Sequence, residues 1–133
     1  GQNKADAAYQ VILPKQRIMP ENRALSFKLA EVLIREKKSA EAETLVNRFI
    51  NKNPRDIMGW QLLQQAANLD QANPLRTVNV LRNRAEVQYW SGDEENAIKS
   101  LLHAQRLAKN NLSAKAKIDT RLKAMQDERK LKI

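Results

Sequence analysis

Residues in the first half of the chain recur 34 positions apart, and this self-similarity constrains the fold more than any other feature. Ala8 and Pro20 stand twelve residues apart, and Ala42 and Pro54 repeat the pair 34 positions later. Further matches under the same shift are Ile12 with Val46 and Leu29 with Leu63, while Ser26 falls opposite Trp60. A period of this length indicates stacked helical units, each of which buries its apolar face against its neighbours.

Apolar residues inside each unit recur with the spacing of a helix. One stripe consists of Ala42, Leu45, Val46, Phe49 and Ile50, at i, i+3, i+4, i+7 and i+8. The pattern predicts helices over about Glu21–Arg35, Arg55–Leu69 and Pro74–Trp90, and it predicts Tyr9, Phe49 and Trp60 as core residues.

Paired helices at a period of 34 residues are typical of the tetratricopeptide repeat (TPR). A small residue at Ala8 or Ala42 lets two helices approach closely, and the proline at Pro20 or Pro54 ends the second helix. The predicted fold is therefore all-α, a TPR-like α-α superhelix of about seven helices.

The strict period breaks in the second half, where Arg76 stands 34 positions after Ala42. A new motif follows, with Gly92 five residues before Ala97 and Ala104 seven residues after it. We expect the helix before Gly92 to close one hairpin and open the next. Predicted helix caps are Ser39, Ser91 with Glu94 as a capping box, and Ser113.

The chain is expected to form a single domain over residues 1–133, with a capping helix and basic tail over 113–133. Residues 1–20 supply only the second half of a repeat, so we expect the chain to be a fragment of a longer protein. The longest apolar runs are far shorter than a membrane span.

The residues predict no catalytic site, no metal site and no cofactor. The chain has no cysteine, and His103 is its one histidine, whereas a zinc site needs several converging ligands. Glu94 and Glu95 stand at a helix start, where the helix dipole explains them better than acid–base chemistry.

Three motifs resemble the C-terminal TPR region of the periplasmic beta-barrel assembly-enhancing protease family, which are zinc metallopeptidases of the bacterial envelope. They are the run from Lys4 to Val11, the run from Gly59 to Leu63, and Arg84-Ala85-Glu86 leading to Gly92 and Asn96-Ala97-Ile98. The family's zinc-binding His-Glu-x-x-His helix has no counterpart here, so no catalytic residue carries over. The resemblance implies a periplasmic recognition module whose partners are outer-membrane assembly components or an unfolded substrate.

The repeat phase predicts a partner-binding groove lined by the first helix of each repeat. Its candidate residues are Phe27, Glu31, Ile34, Arg35, Met58, Gln61, Gln65, Asn68, Arg82 and Tyr89. Tyr89 and Trp90 are adjacent and cannot face the same side of a helix, so one of them is expected to be exposed or to face a groove, where an exposed aromatic side chain is a candidate anchor for a partner.

The net charge of +9 raises an alternative function, the binding of RNA or another polyanion by a basic helical-repeat domain. The basic residues gather after Ile98, and Lys115, Lys117, Arg121, Lys123, Arg129, Lys130 and Lys132 dominate the last helix. Few aromatic residues lie among them, and helix positions such as Phe27 and Gln61 share no recurring base-reading pattern, so protein binding is favoured.

Overall fold

The computed structural model describes the backbone of residues 2–131 and the side chains of residues 7–131. Residue 1 and residues 132 and 133, with Lys132 of the predicted basic tail, lie outside the described residues. Within residues 2–131 the chain forms seven α-helices: α1 (Gln2–Ile18), α2 (Arg23–Arg35), α3 (Ser39–Lys52), α4 (Ile57–Leu69), α5 (Arg76–Trp90), α6 (Glu94–Leu107) and α7 (Leu112–Leu131).

Each helix packs against the next one in the chain, and α2 also contacts α4. Short connections between long helices produce this sequence of neighbours. The observed architecture confirms the predicted all-α fold of α-α superhelix type.

The period of 34 residues reappears in the way α2 and α4 begin. Asn22 caps α2 by accepting a hydrogen bond from the Leu25 amide at 3.0 Å, and Asp56 caps α4 by accepting one from the Gly59 amide at 3.2 Å. Because these two caps stand at positions 22 and 56, both helices begin two residues later than predicted. Their predicted ends, at Arg35 and Leu69, are confirmed.

The break in the period lies in the connection between α4 and α5. This connection spans residues 70–75, whereas the equivalent one between α2 and α3 spans only residues 36–38. The Asn73 side chain accepts from the Leu75 amide at 2.9 Å, which holds Pro74 in a turn and delays the start of α5 to Arg76. α5 then packs against both α4 and α6, as predicted for a helix that closes one hairpin and opens the next.

The predicted serine caps are wrong. Ser39 is already the first residue of α3, whose cap position is Lys38. Asp93 caps α6 by accepting from the Asn96 amide, and Asn111 accepts from the Ala114 amide at the start of α7. At the starts of α6 and α7, the side chain of an aspartate or asparagine in the connection, and not that of the predicted serine, accepts the hydrogen bond from a free amide of the first turn.

The core consists of two clusters of buried residues. The first joins α2, α3 and α4, with half-buried residues of α1 packed against it. The second joins α5, α6 and α7. Tyr9, Phe49 and Trp60 pack against the first cluster as predicted but remain half-buried.

Candidate partner-binding cleft

A cleft of about 820 Å³ lies between the two core clusters, where the repeat period breaks. One side of it is lined by Glu43 and Asn47 of α3 and by Pro54, and its floor by Trp60, Leu63 and Ala67 of α4 with Leu101 of α6. The other side is lined by Asn79, Arg82, Asn83, Glu86 and Trp90 of α5 and by Lys117 and Arg121 of α7. The volume lies within the range typical of ligand sites in proteins.

The polar side of the cleft is one stripe of α5. Asn79, Asn83, Glu86 and Trp90 stand at i, i+4, i+7 and i+11, so they share one face of the helix. The opposite face of α5 carries Ala85 and Leu81, which are buried in the second core cluster. Burial of that apolar face therefore orients the polar stripe towards the cleft.

A partly buried ion pair joins α5 and α7 at the cleft. The Arg121 guanidinium donates two hydrogen bonds of 2.8 Å to the two carboxylate oxygens of Glu86, whose side chain is only 8% exposed. The guanidinium carbon lies 5.1 Å from the centre of the Tyr89 ring and 5.7 Å from that of Trp90. Burial acts to lower the pKa of Arg121, but the hydrogen bonds and charge of Glu86 offset this effect and leave the pKa raised. This bidentate geometry holds α7 against α5.

Both tryptophans of the chain line the cleft. The Trp60 indole donates to the Pro54 carbonyl at 2.7 Å, and the Arg55 guanidinium lies 5.5 Å from the centre of the Trp90 ring. The indole nitrogen of Trp90 is buried and has no hydrogen-bond acceptor among the described residues.

Two further charged side chains of the cleft are partly desolvated. Burial lowers the pKa of Arg82, and the nearby charge of Glu86 offsets only part of that shift. Burial also raises the pKa of Glu43, with a smaller contribution in the same direction from the charge of Asp70. The cleft thus combines charges of both signs with side-chain amides and aromatic walls.

The structure separates the residues predicted to form a groove. Phe27 is 2% exposed and Tyr89 is 4% exposed, so the prediction that they face a partner is wrong. Phe27 is enclosed because α2 packs against α1, α3 and α4, and its ring meets that of Phe49 at 5.6 Å. Tyr89 is covered from α7, where Arg121 lies over its ring and Glu128 accepts its hydroxyl hydrogen bond. Burial and this hydrogen bond raise the pKa of Tyr89.

The other predicted groove residues lie in three places. Glu31, Arg35 and Met58 are exposed, and Ile34 is half-buried. Gln61, Gln65 and Asn68 line a depression of about 520 Å³ between α4 and α5, together with Gln64, Val80 and Arg84. Arg82 alone of the predicted set lines the larger cleft. For these eight residues a role in partner binding stays a prediction.

Most residues of the cleft were not predicted as site residues from the sequence, among them Glu43, Asn47, Asn79, Asn83 and Lys117. One signal could have indicated part of the set. The polar stripe from Asn79 to Trp90 has helical spacing on a helix whose other face is apolar. The contribution of α3 and α7 depends on tertiary packing and has no such local signal.

Two other features bear on the class of site. In the described part of the chain, no group of three or more His, Cys, Asp or Glu side chains is arranged to hold a metal ion, and His103 is exposed. No helix within residues 2–131 has the length and apolar character that crossing a bilayer requires.

The fold and the cleft define a class of protein, a stack of helical hairpins with a partly polar cleft, and this architecture fits a protein-interaction module. No protein-family model matches the chain. Over 105 residues the chain is 30% identical to a Vibrio cholerae serotype O1 protein named "Putative beta-barrel assembly-enhancing protease". The similarity covers 79% of this chain and confirms that the chain resembles a beta-barrel assembly-enhancing protease, as its motifs indicated. The chain spans about a fifth of that relative's length, since the matched region is 21% of it.

Proposed function

We propose that this chain is a protein-binding module of the TPR type, and that it recognises partners or substrates for a bacterial envelope metalloprotease that acts in the assembly and quality control of outer-membrane proteins. The observation that carries the proposal is the cleft between α3, α5 and α7, which is large enough for a peptide segment and carries aromatic walls and side-chain amides. The similarity to a beta-barrel assembly-enhancing protease supports the proposed role in the assembly of outer-membrane proteins and the proposed periplasmic location.

The helical architecture supports the TPR assignment. The Asn22 and Asp56 caps lie one period of 34 residues apart, and α2 contacts α4 as well as α3. Contact between the first helices of successive repeats is what stacks a helical-repeat protein into a continuous array.

The proposal is tested by photo-crosslinking from inside the cleft. A photoreactive amino acid placed at Asn83 is exposed to bacterial envelope extract, and the adducts are identified by mass spectrometry with and without nuclease and raised salt. The control carries the same group at Lys99, which is exposed on α6 and does not line the cleft.

We expect position 83 to form adducts with a small set of envelope proteins, and we expect these adducts to survive nuclease and salt. Position 99 is expected to form none of them. If the adducts disappear with nuclease, or if both positions give the same products, the cleft is not a protein-binding site and the proposal fails. Loss with nuclease would instead favour polyanion binding, for which the exposed lysines of α7 are the candidates.

A further inference from the structure

The connection between α6 and α7 carries an exposed leucine at each of its ends. Leu107, the last residue of α6, is 50% exposed, and Leu112, the first residue of α7, is 81% exposed. Leu112 stands two residues before the buried Ala114, so it points to the side of α7 opposite the core. A single exposed leucine is ordinary, but two of them at one turn form an apolar tip.

This turn has a fixed shape that keeps the leucines outside the core. The Asn111 amide donates to the Ala108 carbonyl at 2.9 Å, and the Asn111 side chain accepts from the Ala114 amide at 3.0 Å. Ala108 and Ala114 are both buried in the second core cluster, whereas Lys109 and Asn110 are exposed. The turn is therefore held from its inner side, and its outer side is presented to whatever lies beyond the end of the helix pair.

The charge around the two leucines is positive. Between Glu95 and Asp119 the sequence has no acidic residue and five basic ones. Of these, Arg106 and Lys109 are the nearest to the leucines along the chain; both are exposed, and neither takes part in an ion pair among the described residues. Aliphatic side chains beside exposed cations match the interface of an anionic membrane, where the aliphatic groups enter between the headgroups and the cations remain near the phosphates.

We propose that the α6–α7 turn, residues 106–112, is a peripheral contact site for the surface of an anionic lipid bilayer. Leu107 and Leu112 enter the headgroup region, and Arg106 and Lys109 contact lipid phosphates. A nucleic acid is a poorer match, because the turn offers two aliphatic side chains and no aromatic ring on which a base could stack. A second copy of the chain is also a poorer match, because the same two cations would face each other across the contact.

This contact is separate from the cleft, which none of the residues 106–112 lines. A partner held in the cleft and a membrane at the turn can therefore be bound at the same time. The inference does not rest on the proposed function, which the adducts at position 83 test by themselves.

The test measures binding of the full chain to phosphatidylcholine vesicles made with and without phosphatidylglycerol. Cosedimentation at low and at raised salt gives the apparent affinity. A second readout reports which part of the chain meets the lipid. Because the chain has no cysteine, Asn110→Cys places an environment-sensitive dye in the turn, and Lys28→Cys places the same dye at an exposed position of α2.

We expect binding to the anionic vesicles and not to the neutral ones, with a blue shift of the dye at position 110 and none at position 28. Lys109→Gln should weaken binding about fivefold, as loss of one cation at a membrane surface predicts. Leu112→Gln should weaken it about tenfold, through loss of the buried apolar area. Both side chains are exposed, so the fold should be kept, and circular dichroism checks this.

Two matched controls separate the turn from the rest of the surface. Lys28→Gln removes the same charge elsewhere, and Ile18→Gln removes an aliphatic side chain that is 79% exposed next to the α1–α2 connection. Both variants should bind the anionic vesicles nearly as the original chain does.

Other results would overturn the inference in distinguishable ways. Equal losses in Lys28→Gln and Lys109→Gln, with no effect of Leu112→Gln, would show unspecific adsorption of a basic chain. Equal binding to neutral vesicles would remove the role of charge, and a loss in Ile18→Gln alone would move the contact to α1. Binding of an oligonucleotide but not of vesicles, dependent on Lys109, would show a polyanion site. Self-association that Leu112→Gln abolishes, without vesicle binding, would make the turn an interface between copies.

Discussion

Lys37 and Gly92 occupy equivalent places in two helix–helix connections, and both have a positive φ, 62° at Lys37 and 92° at Gly92. Each stands five residues before an alanine of the following helix, Ala42 or Ala97. Equivalent backbone hydrogen bonds close both turns. In the first turn, the amides of residues 37 and 38 donate to the carbonyls of residues 34 and 33. In the second turn, the amides of residues 92 and 93 donate to the carbonyls of residues 89 and 88. A left-handed residue at this position is how many helices end, and glycine adopts it without steric cost.

Substitutions at these two positions should therefore act in opposite directions. Gly92→Ala is expected to lower the free energy of unfolding by about 1 kcal/mol, since an added Cβ meets no atom within 4 Å and only the backbone conformation is penalised. Lys37→Gly is expected to raise it by about 0.5 kcal/mol, because relief of the strained φ exceeds the added freedom of the unfolded chain. Urea unfolding followed by circular dichroism measures both. A Lys37→Gly variant less stable than the original chain would contradict this account.

At the scale of the helix, Asp56 performs a second task in addition to the capping that the equivalent Asn22 also performs. It caps α4 and also accepts two hydrogen bonds from Arg23 of α2, at 2.7 and 2.8 Å. The hydrogen bonds from Arg23 hold the pKa of Asp56 below its usual value; burial opposes this effect, and the Gly59 amide supports it. The pair thus joins the starts of two helices that stand one repeat apart.

Asp56→Asn removes the ion pair with Arg23 but keeps the helix cap, because asparagine caps helices as well as aspartate does. At neutral pH we expect the variant to lose about 1 kcal/mol of stability, a modest value because half of the Arg23 side chain is exposed to solvent. The pKa of Asp56 is lower in the folded chain than in the unfolded chain, so this stabilisation is present above about pH 4 and is lost as the pH falls towards the folded value.

The two chains should therefore converge in stability once the pH falls below the pKa of Asp56 in the folded chain. Asp93→Asn is the matched control, since Asp93 caps α6 with no cation bonded to it among the described residues. Urea unfolding at a series of pH values measures all three proteins. A loss in Asp56→Asn that stays constant from pH 7 to pH 2, or that Asp93→Asn reproduces in full, would show that the ion pair adds nothing.

The helices were predictable because their signals are local. Apolar spacing, Pro54 and Gly92 located the helix ends to within about two residues, and the period of 34 related α2 to α4. The caps of α6 and α7 were missed because serine, aspartate and asparagine all serve as caps, and a serine stands within two residues of Asp93 and of Asn111. Phe27 and Tyr89 were misplaced because the number of helices that pack around α2 and α5 is a tertiary property. The cleft was not predictable as a whole, since the three extra residues between α4 and α5 alter the packing of α3, α5 and α7.

At the scale of the whole molecule, the cleft lies over the boundary between the two core clusters. Leu63 of the first cluster and Leu101 of the second both line it. α4 and α5 pack extensively against each other across this boundary, and the Arg55 side chain before α4 lies over the Trp90 ring at the end of α5. Stability in stacked repeats is shared through such neighbour interfaces, so strong coupling here would make the two clusters one cooperative unit.

The two tryptophans allow this coupling to be measured, because Trp60 packs against the first cluster and Trp90 against the second. The Trp90→Phe variant keeps Trp60, which reports on the first cluster. The Trp60→Phe variant keeps Trp90, which reports on the second cluster. We expect Leu101→Ala, which empties a fully buried site in the second cluster, to lower the free energy of unfolding by about 3 kcal/mol. If the chain unfolds as one unit, Trp60 must report the same lowered urea midpoint as Trp90, although Leu101 belongs to the other cluster. A Trp60 midpoint unmoved by Leu101→Ala would show two independently folding halves. The walls of the cleft would then belong to separate units, and partner binding would have to hold them together.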